Sequence, residues 1–187
     1  MASELHIGST FAFFIKTRHT EAPATASANL HKNLTLQQKD QTPATKKSDI
    51  NILVVEDNAV NQKLLRQQLT KHGFTVTTAD NGLDCLSQLQ QTKHWRANSS
   101  SADAPSIAVV LMDIEMPLMD GLQATKEIRK WEKEGKLTGH VPIIAVSANA
   151  RQEQRDLAMD AGMDDSIAKP FRIVELVPKI ERLAGWT

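Results

Sequence analysis

Apolar and polar residues alternate along the chain in a pattern that predicts strands and helices in turn. Five short apolar runs are each followed by a stretch in which apolar residues recur at helical spacing. The runs are INILVVEDN, FTVTTA, IAVVLMD, VPIIAV and SIA, which begin at residues 50, 74, 107, 141 and 166. Strand followed by helix, repeated five times, is typical of a parallel α/β sheet with helices on both faces.

Capping residues and apolar spacing define the predicted helices and loops. Asp57 or Asn58 can cap the first helix, predicted over 60–72, and Gly73 can end it. The stretch 92–106 is polar, rich in serine and without periodicity, which predicts an exposed loop. The last helix is predicted to be amphipathic, with an apolar side made of Ile173, Val174, Val177, Ile180 and Leu183.

The first 48 residues differ from the rest in composition. One strand-like run, STFAFFIKT, occupies residues 9–17. Residues 20–48 are mostly Ala, Thr, Ser, Gln, Asn and Lys, so they cannot bury enough apolar surface to offset the conformational entropy of ordering. We therefore predict a short strand segment over 1–19, a flexible linker over 20–48 and one domain over 49–187.

Composition limits the classes of protein that fit. Lys plus Arg and Asp plus Glu both number 22, so the formal net charge is zero and no global field favours nucleic acid or an anionic membrane. Cys85 is the only cysteine, which excludes an internal disulfide and fits a reducing compartment. The apolar run at 11–15 is too short for a signal peptide or a membrane span. We expect a cytoplasmic chain without nucleic-acid or membrane partners.

Polar side chains follow four of the five predicted strands. Glu56 and Asp57 follow the first strand, Asp113 the third, Ser147 the fourth and Lys169 the fifth. In a doubly wound sheet the carboxyl ends of the strands open on one edge, where ligands bind. We therefore expect these five side chains to share one cleft.

Three acids and a lysine in one cleft suit phosphoryl transfer to a carboxylate. Carboxylates near 4 Å repel by about 4 kcal/mol per pair at an effective dielectric of about 20, unless a cation lies between them. Mg²⁺ prefers oxygen ligands and keeps waters that phosphoryl oxygens can replace. Asp113 is the candidate nucleophile, and Lys169 with the metal would neutralise the transferred group. The Ser147 hydroxyl would donate to a phosphoryl oxygen.

The motifs around these residues resemble those of the receiver domain of response regulators. They are VVEDNAVNQ at 54–62, MDIEMPLMDG at 112–121, AVSANA at 145–150 and AKPF at 168–171. The similarity covers about residues 50–183, and EDN followed by NQ resembles in particular the receivers fused to hybrid sensor histidine kinases. It implies a flavodoxin-like, five-stranded parallel sheet in the order 2-1-3-4-5 that accepts a phosphoryl group from phosphohistidine.

The resemblance also implies a role for each candidate residue. Asp113 would be the phosphoacceptor, Ser147 the switch hydroxyl and Lys169 the lysine that receivers keep invariant. The implied Mg²⁺ ligands are the carboxylates of Glu56, Asp57 and Asp113 and the backbone carbonyl of Glu115. The Lys169–Pro170 peptide would be cis, a geometry open chiefly to prolyl bonds.

Partners and context follow from the same resemblance. In the family the first helix, here 60–72, docks a histidine phosphotransfer protein or a kinase dimerisation domain, which places the donor histidine opposite the phosphoacceptor. Residues 8–18 resemble the closing strand of a histidine-kinase ATP-binding domain, although His6 and Ile7 stand where small, Gly-rich sequence is usual. The chain has no dimerisation-helix histidine motif and no other nucleotide-binding motif. We therefore expect a phosphoacceptor fragment of a hybrid kinase that is not itself an enzyme.

One position departs from the family pattern. Receivers usually place Tyr or Phe three residues before the lysine, and its ring turns inward when the site is phosphorylated. Here that residue is Ser166, and the chain contains no Tyr. An aromatic ring can bury about 150–250 Å², which Ser cannot reproduce. Ser166 therefore favours a relay intermediate over a regulator that switches its own effector.

Two other classes share parts of this pattern. A haloacid-dehalogenase-like phosphatase also uses an Asp nucleophile, Mg²⁺ and a Lys, but its second Asp lies two residues after the nucleophile, where this chain has Glu115. A receiver-like interaction module that is never phosphorylated would share the fold. A pure scaffold, however, has no need for mutually repelling carboxylates.

Overall fold

The computed structural model describes residues 2–4, 8–10, 47–148 and 151–185. The chain divides into two compact units, Met1–Gln41 and Thr42–Thr187. In the first unit, Ala2–Glu4 and Gly8–Thr10 form a short antiparallel pair. Only one strand was predicted in this segment, because the sequence Ala-Ser-Glu has no β-branched or aromatic residue to signal a strand. The rest of the predicted 9–17 strand and nearly all of the predicted 20–48 linker lie outside the described residues.

The second unit is a five-stranded parallel sheet with helices between the strands. The strands are β1 (Asn51–Val55), β2 (Thr75–Ala79), β3 (Val109–Asp113), β4 (Ile143–Ser147) and β5 (Asp165–Ala168). The helices are α1 (Ala59–Lys71), α2 (Gly82–Leu89), α3 (Gly121–Lys133), α4 (Gln152–Ala161) and α5 (Ile173–Leu183). The strand order is 2-1-3-4-5, which confirms the predicted fold.

The sheet separates two apolar cores. Leu53 and Val55 of β1 face the core under α2, α3 and α4, whereas Ile52 and Val54 face the core under α1 and α5, as the alternation of a strand requires. Every residue of β3 and β4 is buried, which explains their continuous apolar sequence. Among the described residues, no helix combines the length and the apolar character that a bilayer crossing requires.

The first helix begins and ends within one residue of its predicted bounds, 60–72. The Asn58 side chain accepts hydrogen bonds from the N–H groups of Val60 and Asn61, at 3.0 and 3.2 Å, and so caps α1. The Lys169–Pro170 peptide is cis, as predicted. In α5, however, Val174 is 60% exposed and Leu176 is fully buried, so the predicted apolar side was wrong at Val174.

The predicted exposed loop at 92–106 is packed in its first half. Trp95 meets Trp131 edge to face, with ring centroids 5.2 Å apart, and forms a β-bridge with Leu137. The Thr138 N–H donates to the His94 carbonyl at 2.7 Å. We call these contacts between residues 92–98 and 131–138 the tryptophan clasp. The prediction failed because the partners are distant in sequence and leave no periodic pattern.

Replacing Trp95 with Ala is expected to destabilise the domain by about 2 kcal/mol, below the cost for a fully buried Trp because Trp95 is only half-buried. The loss arises from the ring contact with Trp131 and from apolar surface left uncovered. Urea unfolding followed by far-UV circular dichroism measures it. Ser101→Ala, in the exposed second half of the same loop, is the matched control, and equal losses in both variants would contradict the role of the clasp.

Asp165 links the last helix, α5, to the edge strand of the sheet, β5, through two ion pairs. Its carboxylate accepts from Lys179 at 2.8 Å and from Arg182 at 2.6 Å. Burial alone would raise the pKa of Asp165, but the hydrogen bonds from Lys179, from the Ser166 N–H and from Arg182 outweigh it, and the pKa is lowered. A carboxylate with a lowered pKa in the folded state stabilises the fold while it is ionised.

The stabilising effect of Asp165 is expected to be lost in acid. It is fully present above the pKa of about 4 that Asp has in an unfolded chain, and it falls as the pH drops through the lower folded value. Unfolding free energies of the wild type and Asp165→Asn should therefore differ most near neutral pH and converge in acid. The exposed Asp103→Asn serves as control, and a wild-type advantage that persists in acid would contradict the prediction.

Candidate functional site

The carboxyl edge of the sheet gathers the predicted polar residues. Glu56 follows β1, Asp113 ends β3, Ser147 ends β4 and Lys169 follows β5. Asp113 lies opposite Val146 in the ladder, next to Ser147, and the Lys169 N–H donates to the Ser147 carbonyl at 2.7 Å. The fold thus brings all of these strand ends to one cleft.

Lys169 joins the two buried carboxylates of the cleft. Its Nζ lies 2.6 Å from Glu56 Oε2 and 2.6 Å from Asp113 Oδ2. Glu56 is 4% exposed and Asp113 is 6% exposed, so both acids are largely removed from water. One ammonium therefore lies between two carboxylates and offsets part of the repulsion between them.

Burial and neighbouring charges shift the pKa values of Asp113 and Lys169. Burial raises the pKa of Asp113 and the Glu56 charge adds to the rise, while the bonds from Lys169 and the Glu115 N–H only partly oppose it. Burial alone would lower the pKa of Lys169, but its bonds to Asp113 and Glu56 outweigh this and the pKa is raised. Lys169 therefore stays cationic at neutral pH.

Three acids can offer oxygens to one cation. Ligand atoms of Glu56, Asp57 and Asp113 all lie within 4.8 Å of one another. Opposite oxygens around an octahedral Mg²⁺ are about 4.2 Å apart, so this spacing fits a shared hard cation. Asp57 is exposed, which opens the cluster to solvent. Glu115, predicted as a carbonyl ligand, lies two residues after Asp113 and donates its N–H to Asp113 Oδ1 at 3.2 Å.

Glu56 is held by two residues for which the sequence predicted no role, Asn61 and Gln62. The Asn61 amide donates to Glu56 Oε1 at 2.8 Å. The Gln62 amide bridges the loop, donating to the Glu56 carbonyl at 3.2 Å and to Asp80 Oδ1 at 3.0 Å. The sequence feature that could have predicted these contacts is the Asn-Gln pair five and six residues after Glu56. The first turn of α1 places these two amides next to the loop that contains Glu56.

A glycine lets the helix after β3 approach the phosphoacceptor candidate. A Cβ on Gly121 would lie 2.1 Å from the Asp113 carbonyl oxygen, closer than any side chain can come. The Asp120 side chain caps α3 by accepting from the Gln123 N–H at 2.7 Å. The Asp-Gly pair therefore starts α3 directly against the strand end.

Ser166 borders a small cavity beside the cleft. The cavity measures about 210 Å³ and is lined on one side by Ser147 and Ser166 and on the other by Arg155 and Ala158 of α4. Ser166 is half-buried. Its side chain is short, so it does not fill the cavity as the aromatic ring usual at this position would.

The chain belongs to the response regulator receiver family, whose receiver-domain model matches residues 52–181. Hybrid signal transduction histidine kinase I of Dictyostelium discoideum is 41% identical over 120 residues, which are 64% of this chain and 6% of that kinase. The chain therefore spans only a small part of the curated relatives it matches. The family assignment replaces the phosphatase alternative.

Solved receiver domains share the fold. The receiver domain of sensor histidine kinase PA1611 from Pseudomonas aeruginosa, crystallised with a magnesium ion in its active-site cleft, is 35% identical with a TM-score of 0.59, covering 73% of this chain and 98% of that one. The receiver domain of Ssk1 from Saccharomyces cerevisiae, in complex with the histidine phosphotransfer protein Ypd1, is 27% identical with a TM-score of 0.62. That match covers 73% of this chain and 89% of the other.

Proposed function

We propose that this receiver domain is a phosphoryl carrier that takes a phosphoryl group from phosphohistidine onto Asp113 and passes it to a histidine phosphotransfer protein. One observation carries the proposal: a buried Asp113 held 2.6 Å from Lys169, beside Glu56 and Asp57, at the carboxyl edge of a receiver fold. A receiver-like module that is never phosphorylated would have no need for this arrangement.

The transfer exchanges one bond to phosphorus for another. A carboxylate oxygen of Asp113 attacks the phosphorus in line, and the bond from phosphorus to the donor ring nitrogen breaks. The ring nitrogen keeps the bonding electron pair and takes up a proton, which leaves neutral histidine and an aspartyl phosphate. Passing the group onward reverses these steps on a second histidine.

The neighbouring residues stabilise charge on the transferred group. A Mg²⁺ ion held by Glu56, Asp57, Asp113 and the Glu115 carbonyl would supply positive charge to the phosphoryl oxygens. The Lys169 ammonium, already at Asp113, shifts its hydrogen bonds to a phosphoryl oxygen. The Ser147 hydroxyl, at the end of the adjacent strand, donates to another. Asn61 holds Glu56 in place throughout.

We assign partner docking to α1. Val60 is 75% exposed and Leu64 is 53% exposed, one turn apart on the same side of the helix. The Ypd1–Ssk1 complex shows a receiver domain bound to a histidine phosphotransfer protein, which supports this kind of partner. The absence of a ring at Ser166 supports a carrier whose output is the phosphoryl group itself.

The chain's wider context is proposed on the same grounds. Several of its curated relatives are hybrid histidine kinases, and we propose that this domain is the receiver of such a kinase, with residues 8–18 as the end of its ATP-binding domain. Most of that segment lies outside the described residues. The buried free thiol of Cys85 fits the cytoplasmic location that we propose.

Removing Mg²⁺ tests the proposal directly. With acetyl phosphate and Mg²⁺, the chain is expected to gain one phosphoryl group by intact mass, and an excess of chelator is expected to abolish the gain. Without the divalent charge, the acids repel the incoming phosphoryl oxygens. Adding Mg²⁺ beyond the chelator should restore labelling, and Ca²⁺ added in the same way shows whether the divalent charge alone suffices. Undiminished labelling in chelator would remove the metal role of Glu56 and Asp57.

A further inference from the structure

The charges of α1 are all of one sign. Of the α-helices in the described part of the chain, α1 alone contains neither Asp nor Glu. It exposes Lys63, Arg66 and Lys71, and none of the three has an ion-pair partner among the described residues. Because the formal net charge of the chain is zero, this positive surface is a local feature.

The positive surface lies beside an apolar strip formed by the exposed side chains of Val60 and Leu64. This strip extends toward the phosphoacceptor cleft. A cavity of about 250 Å³ lies between α1 and the loop after β5, lined by Leu64, Phe171 and Lys169 among others. Glu56 and Lys169 line this cavity and also belong to the cleft, so the cavity borders the cleft. A protein seated on Val60 and Leu64 would therefore also reach the phosphoacceptor.

Helix geometry fixes where the cations lie relative to the cleft. The first turn of α1 lies at the carboxyl edge of the sheet, because α1 directly follows β1. At 1.5 Å and 100° per residue, Lys63, Arg66 and Lys71 lie about 5, 9 and 17 Å beyond Val60 along the helix and about 60°, 120° and 20° around it from Val60. Lys63 is thus within one turn of the apolar strip, and the other two continue away from the cleft.

We propose that the phosphotransfer partner carries acidic side chains beside its reactive histidine, spaced over one to three helical turns, that pair with Lys63, Arg66 and Lys71. This inference rests on the proposed function, since it assumes that α1 docks the histidine-bearing protein. Charges at the rim of an interface act mainly on the rate of association and on its dependence on salt. The cations would select acidic partners and repel basic ones before the apolar strip is covered.

A protein fits this surface better than a polyanion does. A nucleic acid or an anionic membrane laid along α1 would meet the exposed carboxylates Asp57 and Asp80 at its first turn, and their charge would repel it. A nucleic acid would also leave Val60 and Leu64 without an apolar partner. A protein surface with an apolar centre and acidic flanks would contact both the apolar strip and the cations of α1.

The test reverses charges both on the donor protein and on α1 of this chain. The donor is phosphorylated Ypd1 in two forms, with the surface residues flanking its phosphohistidine changed either all to Glu or all to Lys. We expect the Glu form to transfer to the wild-type chain about tenfold faster than the Lys form at low ionic strength, with a smaller ratio at high salt. In Lys63→Glu/Arg66→Glu the order of the two donors should reverse, and Lys71→Glu alone should lower the ratio less.

A matched variant controls for net charge. Lys126→Glu/Lys133→Glu reverses two exposed charges on α3, which have no ion-pair partner among the described residues, and it should keep the wild-type order of donors. A donor ratio that is the same in the wild type and in Lys63→Glu/Arg66→Glu would overturn the inference. Loss of heparin or anionic-vesicle binding in that variant, with an unchanged donor ratio, would assign the face to a polyanion and would also overturn it.

Labelling with acetyl phosphate separates the two proposals. This small donor needs no docking surface, so each transfer rate is compared with the acetyl phosphate rate of the same variant. Failure of the wild-type chain to be labelled by acetyl phosphate would overturn the proposed function. Normal labelling with equal rates from the Glu and Lys donors would overturn only the charge complementarity.

Discussion

Asp113→Asn is expected to take up no phosphoryl group from either acetyl phosphate or a phosphorylated histidine protein. An amide lacks the carboxylate oxygen that attacks phosphorus, whereas its shape is nearly that of Asp and its oxygen still accepts the Glu115 N–H. The fold should therefore persist while the chemistry is lost. Intact mass spectrometry measures the uptake, and circular dichroism checks the fold.

Asp120→Asn is the matched control for this prediction. Asp120 lies at the end of the loop that follows Asp113 and caps α3, a role that Asn also fills well. This variant should be labelled at the wild-type rate. If Asp113→Asn were labelled as fully as the wild type, or if Asp120→Asn lost labelling as completely, Asp113 would not be the phosphoacceptor.

Lys169→Met is expected to slow labelling by about 100-fold or more and to make the stability of the domain depend on Mg²⁺. The variant removes the cation that Glu56 and Asp113 share. Breaking a buried ion pair typically costs 3–5 kcal/mol, and because Lys169 is about one-quarter exposed we expect about 2 kcal/mol in chelator. A bound divalent ion should recover most of this loss, since it neutralises the same two carboxylates.

Urea unfolding in chelator and in Mg²⁺ measures the effect on stability. Lys179→Met is the control, because Lys179 pairs with Asp165, which keeps Arg182 as a second partner. Its loss should be smaller and independent of Mg²⁺. The role of Lys169 would be contradicted if both variants responded equally to Mg²⁺, or if Lys169→Met were labelled at the wild-type rate.

The fold could be predicted because each element carries its own local signal. The fully buried β3 and β4 appear as continuous apolar runs, and each ends at the residue that reaches the cleft, Asp113 and Ser147. Because the strands are parallel, their carboxyl ends all lie at one edge of the sheet. The gathering of the candidate site was therefore predictable from the order of the residues alone.

What the sequence could not predict are contacts between residues far apart in the chain. Nothing near Trp95 indicates that it packs on Trp131 and Leu137. In the same way, the motif around Lys169 does not show that one ammonium bonds both Glu56 and Asp113. The predicted roles of Asp113, Ser147 and Lys169 followed from the chemistry of the strand-end side chains, and the Glu115 carbonyl ligand came from the resemblance. The structure adds that Lys169 is shared between two carboxylates.

The tryptophan clasp has a practical consequence for spectroscopy. Trp95 and Trp131 lie near the C-terminal ends of α2 and α3, which in a parallel α/β sheet is the edge opposite the carboxyl ends of the strands. Trp186 lies outside the described residues, so Trp186→Phe leaves a fluorophore pair distant from Asp113. Emission of that variant should follow global unfolding and stay silent to metal and phosphoryl binding. Ligand occupancy and chain folding can then be followed by separate reporters in one sample.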